Sequence, residues 1–101
     1  QLTKDEVAAI TAKQPLHEYL PKWALALNEV VKVSVKGDEK HGSPWDSQNK
    51  DEAYFLNKAM RHYFEHATGT ERDEETGMLH LAQATWHFLC ALQTKLKQKG
   101  I

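Results

Sequence analysis

The chain is short of most things that would place it in a special class. It has one cysteine, Cys90, in 101 residues, which excludes an internal disulfide scaffold and points to a reducing, cytoplasmic setting. Three prolines and five glycines are too few for a collagen-like or linker-like chain. The longest apolar stretch, Trp86–Leu92, is interrupted by His87 and is far too short to cross a bilayer, so no membrane partner is expected. Charge of one sign is missing as well. Thirteen basic and fourteen acidic residues leave a formal charge of −1, with no basic excess to drive binding to nucleic acid. The first residue is Gln1, with no signal-peptide pattern behind it; that start is expected to be a cut boundary rather than a natural one.

What remains is an ordinary soluble composition, 41% hydrophobic and 27% charged, enough for one all-α domain over residues 1–101 with a modest core. Strand signals are nearly absent, and the periodicity predicts four helices. The first spans Lys4–Lys13, opened by the capping-box pair Thr3 and Glu6 and ended by Pro15. The second starts at Pro21, with Trp23, Leu27, Val30 and Val31 on one face, and frays near Gly37. A third, Lys50–Ala67, carries Leu56, Ala59, Met60, Tyr63, Phe64 and Ala67 on its expected core side. The fourth, Met78–Gln98, is the most apolar and is expected at the centre of a small helical bundle. A helix apolar on most sides also suggests a core shared with a second copy, so a homodimer or higher homo-oligomer is expected.

Six histidines are the most informative surplus. His80, Gln83 and His87 fall at i, i+3 and i+7 on the fourth helix, one polar stripe on the most buried element. The third helix offers Lys58, Arg61, His62, Glu65 and His66 on its polar side. Packed antiparallel across Thr68–Gly77, the two sets would form a pocket of cationic, imidazole and amide groups. Trp45 or Trp86 would lie near enough to stack on a ring. Such a pocket suits a nucleotide: Arg61 and Lys58 for phosphates, Trp45 for the base, and His62, His80, Gln83 and His87 for ribose and base edges. The plainer alternative is a buried His/Gln stripe that only fixes helix register, beside an ordinary solvated face.

Other chemistry is thinly supported. His62 and His66, at i and i+4, could present two imidazoles to zinc, but no motif supplies a third ligand. Asp73, Glu74 and Glu75 could hold magnesium, yet an acidic loop is commonly just solvated. Cys90 reads as an inert core thiol, and Lys95, Lys97 and Lys99 as solubilising charges at a helix end. There is no nucleophile elbow and no glycine-rich phosphate loop.

Three segments together resemble a phage-encoded family, the dATP/dGTP diphosphohydrolase N-terminal domain. The first is Leu20-Pro21-Lys22-Trp23-Ala24-Leu25 running to Gly37, then Lys40-His41-Gly42 and Trp45, similar to the family's Leu-Pro start, glycine, Lys-Tyr-Gly-like turn and tryptophan. Arg61-His62, Gly69, Asp73, Glu75 and Gly77 follow in the family's order. His80-Leu81-Ala82-Gln83-Ala84, with His87 after it, is similar to a His-Leu-Ala-His-Ala pattern, from which Gln83 departs. The resemblance covers about Leu20 to Leu92. It implies a fold akin to the all-α MazG-like nucleotide pyrophosphatases, a nucleotide ligand and a phage origin, hence the cytoplasm of an infected bacterium.

Those pyrophosphatases hold magnesium on paired helical carboxylates, whereas His80 and Gln83 stand at comparable positions here and are poor magnesium ligands. The expectation is therefore a binding protein without cofactor or resident metal. It would capture a nucleotide-derived ligand intact, such as a cyclic nucleotide or cyclic ADP-ribose-type immune signal, as an anti-defence sponge, with Glu75 of the resembling acidic turn joining the histidines and Gln83 at ribose and base edges. The alternative is a magnesium-dependent dATP/dGTP diphosphohydrolase releasing pyrophosphate, with Glu65, Asp73 and Glu75 as the metal ligands and His62 or His80 moving protons. A helical interaction module with no small ligand is the third possibility.

Overall fold

The computed structural model describes residues 1–11 and 14–100, and the fold it shows is a small all-α bundle. Its helices are α1 (Lys4–Thr11), the single turn α2 (Leu16–Tyr19), α3 (Ala24–His41), α4 (Glu52–Ala67) and α5 (His80–Gln98), with 3-10 turns at Leu20–Trp23 and Trp45–Ser47. Four of these have eight or more residues, matching the four expected. No helix among the described residues is long and apolar enough to cross a membrane.

The local signals mostly operate as the side chains dictate. Thr3 Oγ1 accepts from the Glu6 N–H at 3.1 Å while Glu6 Oε1 accepts from the Thr3 N–H at 2.8 Å, the reciprocal capping box. The far end of that helix, expected at Lys13, lies outside the described residues. Pro21 sits in a 3-10 turn, and the α-helix proper begins three residues later at Ala24. It also runs past Gly37 to His41. One glycine inside a helix costs only about 1 kcal/mol, whereas Gly42, at φ 70°, supplies the left-handed stop that a helix end favours. Asp51 caps α4 by accepting from the Tyr54 N–H at 2.8 Å. Helix α5 starts at His80 rather than Met78 because Leu79 is extended and pairs with Arg72 in an isolated antiparallel bridge.

Helices α4 and α5 form an antiparallel hairpin. Glu52 pairs with Lys95 at 3.3 Å at one end, Phe55 packs with Cys90 and Ala91 in the middle, and His62 meets His80 at the other. Helix α3 packs against α5. Helix α1 is tied down by Lys97, whose Nζ donates to Glu6 Oε2 at 2.8 Å. Lys95 and Lys97 are thus tethers between helices, not merely solubilising charges.

The core is small and aromatic-edged: Phe55, Cys90 and Ala91, with Trp45 and Trp86 packed against them. Trp45 meets Phe55 edge-on at 5.5 Å and Trp86 at 6.2 Å, the arrangement that ring quadrupoles favour. Burial pushes the Cys90 thiol up to about 12, helped by the charge of Asp46, in keeping with an inert core residue.

Two helices turn differently from expectation. On α4 the inward line is Phe55, Ala59 and His62; of the expected core face, Ala59 is buried, but Leu56, Met60, Tyr63 and Phe64 are exposed. On α3 the buried residues are Val30 and Val33, while Trp23 and Val31 are exposed. The physical reason lies in side-chain size. Ala59, Ala82, Ala84 and Ala91 are all buried, and small residues set how closely two helices approach.

Candidate functional site

The polar stripe of α5 is buried, as its spacing on a central helix requires. His80 and Gln83 are each under 8% exposed and His87 is half-buried. Facing them, His62 is the buried polar residue of α4. The two imidazoles meet directly, His62 Nδ1 lying 2.9 Å from His80 Nδ1, and the His87 ring stacks on His62 with centroids 5.4 Å apart.

The connection between the hairpin helices brings an acid to this group. Asp73 N–H donates to the Met78 carbonyl at 2.8 Å, Gly77 N–H donates to the Asp73 carbonyl at 2.7 Å, and Gly77 takes φ 74°. This tight turn, inaccessible to most residues at that φ, folds the Asp73 carboxylate back over the start of α5. There Oδ1 accepts from the Glu75 N–H at 2.9 Å and Oδ2 from the Gln83 amide at 3.4 Å. Gln83 also reaches the Met78 carbonyl at 3.5 Å. One ligand-capable atom each of His62, Asp73 and His80 lie within 4.8 Å of one another.

These contacts set protonation. Burial, then the neighbouring cationic forms of His87, Arg61 and His80, press His62 down to about 4, so it is neutral at pH 7. Burial likewise lowers His87 against the opposing pull of the Gln83 carbonyl. That carbonyl, 2.7 Å from His87 Nδ1, can only accept, so Nδ1 carries the proton and Nε2 the free lone pair. For Asp73, burial alone would raise the carboxyl, but the Glu75 N–H, the Gln83 amide, nearby His80 and the Thr76 N–H together outweigh it and hold the group below its usual range.

A cavity of about 210 Å³ opens above this floor between α3, α4, α5 and the connecting turn. Trp45, Lys58, Arg61, His62, Glu75, Gln83 and His87 all line it; His80 lies behind, reached through His62. Glu65 is outside the lining, its Oε2 3.7 Å from His80 Nε2. His66 is not part of the imidazole–carboxylate group.

Sequence reasoning missed what α3 contributes. Lys36, Asp38 and Lys40 line the same cavity, as do Lys50 and Tyr54. Lys36 and Lys40 stand four apart, a spacing that puts both on one helix face, which was the available signal. Lys40 and His41 belong to α3 itself rather than to the turn that the family resemblance implies there. Five cations (Lys36, Lys40, Lys50, Lys58, Arg61) face three carboxylates (Asp38, Asp73, Glu75) in this lining, so the cavity is positive although the whole chain is not. Lys40 is paired with Glu75 at 3.2 Å. Among the described residues Arg61 and Lys58 have no carboxylate partner, Lys58 resting instead 5.7 Å over the Tyr54 ring.

A second, larger groove of about 670 Å³ adjoins it and shares Trp45, Lys50 and Trp86 as a common wall. Val30, Val31 and Leu89 make it more apolar.

Glu65, Asp73 and Glu75 do not converge. Asp73 is turned to the imidazoles, Glu75 to Lys40, and Glu65 to the far side of His80. A clamp of these three carboxylates around magnesium therefore does not fit this arrangement.

No curated protein sequence and no solved structure matches the chain. A family model does, described as dATP/dGTP diphosphohydrolase, N-terminal, and it spans residues 4–101, beyond the Leu20–Leu92 stretch that carries the sequence motifs. The chain belongs to the dATP/dGTP diphosphohydrolase N-terminal domain family.

Proposed function

We propose that this domain binds a purine deoxynucleoside triphosphate by its phosphates and hydrolyses it to the monophosphate and pyrophosphate. The observation that carries the binding is the cavity: cations without carboxylate partners, Arg61 and Lys58 foremost, converge over a floor of neutral imidazole and a carboxylate. Guanidinium and ammonium groups with no carboxylate partner among the described residues are available to phosphate oxygens. The volume, about 210 Å³, is below the roughly 300–1,000 Å³ of pockets that hold whole ligands. It suits a polyphosphate, with the base directed past Trp45 into the apolar groove. His87 Nε2 and His62 are positioned as proton acceptors. Family membership supports the choice of purine deoxynucleotide and of hydrolysis.

A second reading, intact capture of a nucleotide-derived signal in an infected bacterium, is favoured by one observation. Glu65, Asp73 and Glu75 do not gather into a magnesium clamp, and without chemistry the same cavity is a trap. In either case the ligand is a small molecule, and we expect the domain to work as a homo-oligomer.

A mass balance separates the readings. The protein is mixed with dATP, dGTP, cyclic dinucleotides and cyclic ADP-ribose, with and without added divalent ions; filtrates are chromatographed before and after heating. Monophosphate and pyrophosphate in the filtrate mean hydrolysis. A ligand that leaves the filtrate and returns unchanged on heating means capture. Loss of a charge-assisted bond is worth about 1.5–3 kcal/mol, so Arg61→Ala should weaken binding roughly tenfold to a hundredfold. Unchanged binding in Arg61→Ala and Lys58→Ala overturns the cavity assignment.

A further inference from the structure

We propose that His62, Asp73 and His80 bind a single divalent transition-metal ion of the zinc or cobalt(II) kind. The imidazoles face each other through like atoms, Nδ1 to Nδ1 at 2.9 Å. In two neutral rings one of these nitrogens must hold a proton and the other a lone pair aimed at it. Replacing that proton by an ion lets both lone pairs point at one centre. An ion about 2.0–2.1 Å from each donor in tetrahedral geometry holds its donors roughly 3.3–3.4 Å apart. Opening the rings by about half an ångström is enough to reach that spacing.

The third donor is close by and has to move in to that same spacing. An Asp73 oxygen lies within the 4.8 Å that spans the group, and its carboxylate is steadied by the Glu75 N–H and the Gln83 amide. His80 presents its other nitrogen, Nε2, to Glu65 Oε2 at 3.7 Å. A carboxylate behind the ring favours the tautomer with hydrogen on Nε2 and a bare Nδ1, the support that metal-bound imidazoles ordinarily have. Two imidazoles and one carboxylate select zinc-like ions over magnesium or calcium, which favour oxygen. Because His62 and Asp73 also line the cavity, the remaining coordination position opens toward the phosphate-sized space. Three protein ligands with one open position is the pattern of a working ion rather than a purely structural one.

This inference does not depend on the nucleotide reading, and its test contains no nucleotide. Protein stripped with chelator and dialysed is titrated with Co²⁺, and the visible absorption of four-coordinate cobalt is followed; Zn²⁺ is then added in competition. The expected result is a band that saturates at one equivalent and is displaced by Zn²⁺. It should be absent in His80→Ala and shifted to roughly tenfold or more higher cobalt in Asp73→Asn, whose far-ultraviolet circular dichroism should stay helical because Asp73 lies in the half-buried turn. His66→Ala, outside the group, should titrate like the unmodified protein. No saturable band, or the same titration in Asp73→Asn as in the unmodified chain, overturns the proposal even if His80→Ala does not fold. Nucleotide binding by ion-free protein would leave the preceding proposal standing whatever cobalt does.

Discussion

The hairpin of α4 and α5 has two faces of opposite character, and they are not arranged as a simple reading of hydrophobicity suggests. The inward face carries His62 from one helix and His80 and Gln83 from the other, with small residues between them. The outward face carries Met60, Tyr63 and Phe64 on α4 and Leu81, Phe88 and Leu92 on α5, all at least 38% exposed. Large apolar side chains in water and imidazoles in the interior are each unfavourable alone. Together they indicate that the inner face is organised around polar chemistry, and that the outer one is available to apolar contact. A second copy of the chain is the occupant we expect there.

The comparison can be broken experimentally. The largest effect is expected at the aromatic anchor between the faces: Phe55→Ala should lower the free energy of unfolding by about 3–5 kcal/mol, read by urea denaturation. Next comes the polar floor. In metal-free protein, His80→Ala strands the His62 nitrogen and should destabilise by roughly 1–3 kcal/mol. If it is neutral, the inner face is not held by its polar contacts. On the outer face Phe64→Ser should change the stability of each chain by no more than about 0.5 kcal/mol. Sedimentation should nonetheless show less self-association than in the unmodified chain, if a second copy is what covers this face. A purely monomeric unmodified chain would remove that part of the comparison.

The smallest effect concerns the tether outside both faces. The bond from Lys97, with the Thr3 N–H, holds the Glu6 carboxyl down at about 2 against an ordinary 4.5. The unfolded chain therefore takes up more protons between those values, so this stabilisation is complete above about pH 4.5 and fades as pH falls toward 2. Lys97→Ala should flatten the acid limb of a pH–stability curve. An unaltered limb would show that the tether is not coupled to folding.

Much of this was legible in the residue order. Thr3 and Glu6 announced a helix start because capping is local chemistry, and the i, i+3, i+7 stripe of His80, Gln83 and His87 announced a polar face because helical period is local geometry. The inward face of α4 was not legible. Leu56, Met60, Tyr63 and Phe64 form the stronger apolar stripe, and nothing within a helix says whether its stripe meets the same chain or another. Asp73 was visible as an acid but was grouped with Glu65 and Glu75. Its pairing with imidazoles depends on the Asp73–Met78 turn and the Arg72–Leu79 bridge, three-dimensional facts that composition does not carry. Lys40 was not placed beside Lys36 because the helix that carries both was expected to fray near Gly37.

The Gly77 turn has a consequence for how the molecule assembles. It places Asp73 beside the first turn of α5, and His62 is the only member of the cluster on the preceding helix, separated from His80 by eighteen residues. Every donor therefore comes from a stretch of low contact order, whose closure entropy is small and whose pairing is fast. The imidazole–carboxylate cluster can form as the α4–α5 hairpin zips. The lysines of α3 arrive from farther along the chain and add charge to a centre already built.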